Sequence, residues 1–210
     1  MIPKFTTSGV LPPFVGESPA DKAQCSPYKV KMSELVSRFA TSRERVVILD
    51  GLLEFRRQYR ELGFLEGFQW IDGSFVEDCE SVNNRGRAPQ DADLVTFVYR
   101  PLNSEKNEFI SIDEMSQIVM NNMNVFVPKR AKATYQCDAY HVDLCQPPHL
   151  LVGVTTYWYG LFSHSRVDSL WKGILEINIV SDDDYAETIL EEKRREFFST
   201  DVNLGGGVSC

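Results

Sequence analysis

Residues 69–96 read QWIDGSFVEDCESVNNRGRAPQDADLVT, and this stretch decides the fold and the chemistry expected of the chain. A short apolar strand over 69–72 ends at Gly73-Ser74, where Ser74 is placed to start a helix over 74–82. Asn83-Asn84-Arg85-Gly86 is a turn signal, so the chain is expected to loop as far as Pro89. Asp91-Ala92-Asp93 then opens a second apolar strand over 91–99. Residues two apart on a strand share a face, so Asp91 and Asp93 present two carboxylates about 7 Å apart along the backbone. Such neighbours repel unless a cation sits between them. Mg²⁺, usually held by one or two carboxylates together with substrate phosphates, fits the pair. A Gly-Ser turn beside it supplies N–H groups and a hydroxyl suited to phosphate. Together these features point to phosphoryl or nucleotidyl transfer. The competing reading is an edge strand with two solvated carboxylates and a plain helix cap.

Outward from this stretch, the chain punctuates itself clearly. Residues 1–28 hold five prolines and form an extended arm whose Phe5, Leu11, Phe14 and Val15 can dock on a core. Ser33 is placed to cap a short helix to residue 40, and Ser42 a longer one ending before Gly63. Arg56, Arg57 and Arg60 crowd that helix's last turns, where its dipole favours cations. Ser111 and Glu114 form a capping box for a helix to about residue 122. A strand is expected over 133–144, a buried aromatic-rich helix over 149–163, and a strand over 170–180 broken by Gly173. The run Asp182-Asp183-Asp184 reads as the acidic start of a last helix, and 201–210 as a flexible tail. Residues 29–200 then make one α/β (α+β) domain with a mixed, largely antiparallel sheet flanked by helices.

Bulk properties set bounds. The chain has 210 residues, 25% of them charged, and a formal charge of −8, which disfavours unspecific wrapping of nucleic acid. Five scattered cysteines without CxxC spacing argue against a disulfide framework or zinc site and suit a reducing cytoplasm. No apolar run has transmembrane length, so no membrane partner is expected. Arg85, Arg87, Lys129, Arg130 and Lys132 form a small basic cluster that keeps RNA ends open as a partner.

Strand, Gly73-Ser74, helix, loop and Asp91-Ala92-Asp93 in that order resemble the DNA polymerase β-like nucleotidyltransferase superfamily, in its minimal bacterial form, over roughly residues 60–145. From IPKFTTSGVLPPF through GFQWIDGSFVED and RGRAPQDADLV the chain also looks like an uncharacterised bacterial family placed there. The gap between Ser74 and Asp91 is longer than that superfamily's usual one, which places an extension near Arg85 and Arg87. The resemblance implies that Gly73 and Ser74 hold the phosphates of a nucleoside triphosphate such as ATP. It also implies that Asp91 and Asp93 hold Mg²⁺ or Mn²⁺, and that a third carboxylate completes the site. That third residue is Asp138 or Asp143. An offset of five puts them on opposite strand faces, and a mid-strand charge is costly unless paired or metal-bound, which favours Asp138. Arg85, Arg87 and Lys172 are the candidate phosphate ligands. The implied reaction moves a nucleoside monophosphate to a hydroxyl of a protein, nucleotide, small molecule or RNA end. The alternatives are a catalytically weak binding module, such as an antitoxin or defence partner, and phosphodiester hydrolysis.

Overall fold

Two residue choices set the longest helix. The Ser42 hydroxyl accepts the N–H of Arg45 at its start, and Gly63, at φ +90°, ends it in a conformation that suits glycine. The computed structural model describes residues 1–166 and 168–199. The chain runs β1 (Tyr28–Lys29), α1 (Met32–Phe39), α2 (Arg43–Glu61), β2 (Gly67–Asp72), β3 (Ala92–Val98) and a small hairpin, β4 (Leu102–Asn103) with β5 (Glu108–Phe109). It continues through α3 (Ile112–Asn121), α4 (Met123–Phe126), α5 (Pro128–Tyr135), β6 (Cys137–Asp143), α6 (Pro148–Phe162), β7 (Leu175–Asn178) and α7 (Asp183–Phe198). The main sheet has the order β1-β7-β2-β3-β6. Its two central ladders are antiparallel and its two outer ones parallel, a mixed sheet flanked by helices as expected.

Strand alternation gives the sheet two unlike faces. Ile71, Leu94, Val98, Cys137, Ala139, Leu175 and Ile177 join the larger core with α1, α2, α5 and α7. Trp70, Val95, Phe97 and Val142 meet Trp158 and Phe162 of α6 on the other face. Among the described residues α6 is the helix that packs on this second face, which ends in Asp72, Asp93 and Asp138. In the N-terminal segment Leu11 is buried, its carbonyl accepts the Gly173 N–H at 2.8 Å, and Phe5 packs on Phe39.

Several expectations need correction. Ser74 starts only a 3₁₀ turn to Val76, not a helix over 74–82. Arg45, buried in α2, takes the carbonyls of Phe75 (2.5 Å) and Glu77 (2.7 Å), which a helix would have used internally. Residues 133–135 end helix α5 rather than begin a strand. The α1 helix starts one residue before Ser33, whose hydroxyl instead donates to Asp182 at 2.6 Å. Helix α6 is present but not enclosed, with Leu150, Val152 and Tyr157 between 49% and 68% exposed. The described strand β7 covers only Leu175–Asn178 of the expected 170–180. Cys25, Cys79, Cys137 and Cys145 are free thiols; Cys210 and the expected tail lie outside the described residues. No helix among the described residues is long and apolar enough to cross a membrane.

His141 of β6 is enclosed by the rings of Tyr59, Phe64 and Phe126, and its Nε2 has no hydrogen-bond partner. Burial lowers its pKa to about 4. An unfolded chain therefore binds a proton here that the folded one refuses, and stability is lost as pH falls from about 6.5 to about 4. Relative to His141→Phe, the native chain is expected to lose on the order of 3 kcal/mol across that window. Urea unfolding of both proteins at several pH values measures it, and parallel curves would refute it.

Candidate metal and phosphate site

The sheet register assembles a row of carboxylates. Asp72 is the partner of Asp93 across the antiparallel β2–β3 ladder, and Asp93 the partner of Asp138 across the parallel β3–β6 ladder. Asp91 stands just before β3, where the Ala92 N–H meets the Gln136 carbonyl at 3.0 Å and starts the second ladder. Asp91, Asp93 and Asp138 each bring one oxygen into a group whose members all lie within 4.8 Å of one another. All three are half-buried. Burial and then the charges of Asp91 and Asp138 raise the Asp93 carboxyl above its usual range, the expected signature of crowded like charges. Lys132 of α5, on a half-exposed stem, bonds Asp91 and supplies part of the missing positive charge.

Asp143 points elsewhere: Arg100 holds it at 2.7–2.8 Å on the other face of β6. The structure thus brings Asp138, not Asp143, to Asp91 and Asp93.

Gly73 has a specific reason to be glycine. Its φ is +80°, and a β-carbon there would overlap the Asp93 carboxylate. The turn and the acidic group are therefore in direct contact. Gly73, Ser74 and Asp93 line a cleft of about 230 Å³ together with Phe162 and Arg166.

The predicted phosphate ligands divide. Lys172 is buried in the cleft wall and bonds Asp72 (2.9 Å) and Glu77 (2.8 Å). Arg85 bonds the second oxygen of Glu77 at 2.7 Å. Their charges are thus engaged by carboxylates within the protein. Arg87 is exposed and, with Ser74 and Asp91, borders a smaller recess of about 130 Å³. Lys129 and Arg130 lie exposed on α5 near Lys132. A helix over 74–82 would turn Glu77 to solvent; it is instead buried, and Glu80 bonds Arg45 at 2.8 Å and Ser42 at 2.6 Å.

Sequence reasoning missed Asp72, although a charge closing an apolar strand beside Gly73 was a visible signal. Its Oδ1 is buried without a partner. Burial raises its carboxyl to about 7 even against the attraction of Lys172. Burial opposes the charge on Lys172, but Asp72 and Glu77 outweigh that and raise its pKa. Within this group the ammonium keeps its charge. Arg166 was also missed; it lines the cleft, and its charge reaches Asp93.

A family model described as a family of unknown function, DUF6932, matches residues 3–178. The chain belongs to that family. Neither a curated protein nor a solved structure matches the chain.

Proposed function

We propose that this protein is a metal-dependent nucleotidyltransferase, moving a nucleoside monophosphate from a nucleoside triphosphate to a hydroxyl. The observation that carries the reading is the convergence of Asp91, Asp93 and Asp138, with Asp93 also lining a cleft that Gly73 and Ser74 border. The resemblance of Gly73-Ser74 and Asp91-Ala92-Asp93 to the polymerase β-like superfamily supports it. Three hard oxygen donors from neighbouring strands suit Mg²⁺ or Mn²⁺. A divalent ion there would neutralise phosphate charge and acidify an attacking hydroxyl.

The protein's own groups supply the remainder. Ser74 and Arg166 orient the triphosphate in the cleft, and Gly73 lets it approach the carboxylates. Asp138, on the sheet's edge strand, accepts the proton of the acceptor hydroxyl. The acceptor oxygen bonds to the α-phosphorus, the α–β anhydride bond breaks, and pyrophosphate leaves. Lys172 and Arg85 hold Asp72 and Glu77 in place, so the cleft wall is set before substrate arrives.

Calorimetry with ATP, GTP, CTP and UTP, each with Mg²⁺ or Mn²⁺, tests the reading. Binding is expected only with metal and is expected to vanish in Asp91→Ala/Asp93→Ala. Mass spectrometry of the protein after incubation with each triphosphate reports any self-modification. If no triphosphate binds with metal, or the double variant binds equally well, the proposal fails. The uncharged, exposed stretch of α6 around Leu150 and Val152 favours a second reading, a binding module for another protein. Co-purification of a partner by a chain that binds no triphosphate would favour it.

A further inference from the structure

Beside the three carboxylates stands a group of aromatic rings that is only partly covered. Tyr140 follows Asp138 by two residues on β6, so both side chains leave the same face of that strand. The Tyr140 ring lies 4.7 Å from that of Trp158, and the Tyr157 ring 5.1 Å from Trp158 in an edge-to-face arrangement. Trp158 is buried against the second core, while Tyr140 and Tyr157 are 40% and 62% exposed. Strand β6 is the sheet's edge, and no further strand flanks it among the described residues.

The rings adjoin the chemistry. Tyr140 is the register partner of Val95, two residues along β3 from Asp93 just as Tyr140 is two residues along β6 from Asp138. Arg166, which lines the cleft, exerts its charge on both Asp93 and Tyr140. Cleft, carboxylates and rings thus follow one another across a single sheet face. With its phosphates at Gly73-Ser74 and Asp93, a nucleotide extends its sugar past Asp138. Its base would then reach the partly exposed rings of Tyr140 and Tyr157, which can stack on any base because every base has a π-face.

We propose that Tyr140 and Tyr157, both packed on the buried Trp158, form a stacking platform for the base of the nucleoside triphosphate. The inference rests on the nucleotidyltransferase reading and adds the nucleoside subsite to it. The side chains there are aromatic and stack without reading base edges, so the four triphosphates are expected to bind with similar affinities.

The test compares MgATP with Mg-tripolyphosphate, which has the phosphates but no base, by calorimetry. Tyr140→Ala and Tyr157→Ala are each expected to weaken ATP binding about 5- to 50-fold and leave tripolyphosphate binding unchanged. Tyr140→Phe, which keeps the ring and drops the hydroxyl, is expected to bind ATP like the native chain. Native affinity for ATP in both alanine variants overturns the platform while sparing the nucleotide reading. Equal losses for ATP and tripolyphosphate also overturn it, by showing a structural defect. Should the native chain bind neither ligand, the functional reading itself falls and the platform with it.

Discussion

Asp93→Asn is expected to lower nucleotide transfer about 10³-fold or more, and to make the metal-free protein more stable above pH 7. The first effect follows from the place of Asp93 at the centre of the row, partnered in register with both Asp72 and Asp138. Charge stabilisation by a bound cation is worth several kcal/mol, and each 1.36 kcal/mol is about tenfold in rate. The second follows from repulsion. The folded Asp93 carboxyl is raised above its unfolded value, so its favourable contribution is full below about pH 3.9 and is lost as pH rises through the folded value. Asparagine removes the crowded charge, and its advantage therefore appears at pH 8 and fades toward acid. On the proposed function Mg²⁺ is expected to reverse the order, by binding the folded native chain more tightly than the variant. Thermal unfolding at pH 6 and pH 8, in EDTA and in millimolar MgCl₂ or MnCl₂, reads all of this. A native melting temperature indifferent to both ions would remove the metal from the proposal.

The sequence carried the site's local part and concealed its non-local part. Asp91 and Asp93 were legible because a two-residue spacing survives any strand placement, and Asp138 because alternation separates it from Asp143. Gly73 was legible as a turn residue, but the contact that requires it comes from Asp93 on the neighbouring strand. Glu77 read as solvated because residues 74–82 carry a plausible helical pattern. What breaks that pattern is Arg45, about 30 residues earlier, which captures two of its carbonyls. Lys172 read as a candidate phosphate ligand because its partner carboxylates lie 95 and 100 residues away along the chain. Arg56 read as a cation serving a helix dipole, whereas it is fully buried beneath α7. In each case a charged side chain satisfied by a distant segment looks identical, in one dimension, to one facing water.

Asp183→Ala is expected to cost about 3–5 kcal/mol of stability. Arg56 is 0% exposed and donates to both Asp183 oxygens at 2.8 and 2.9 Å. It also bonds Gln69 at 2.6 Å and the carbonyls of Asn178 and Ile179, so one guanidinium ties α2 to β2, β7 and α7. Alanine at 183 leaves that charge buried and uncompensated, because the remaining partners are neutral. Arg60 shares the same carboxylate at 2.6 Å but is about a quarter exposed, so it can turn to solvent. Arg60→Ala is accordingly expected to cost under about 1 kcal/mol. Asp183→Asn keeps the volume and an acceptor oxygen while losing the charge, and belongs between the two. Urea unfolding of the three variants at pH 7 gives the ranking. If Asp183→Ala costs no more than Arg60→Ala, Arg56 has found another counter-charge or water, and the ion pair is not what fastens α7 to the sheet.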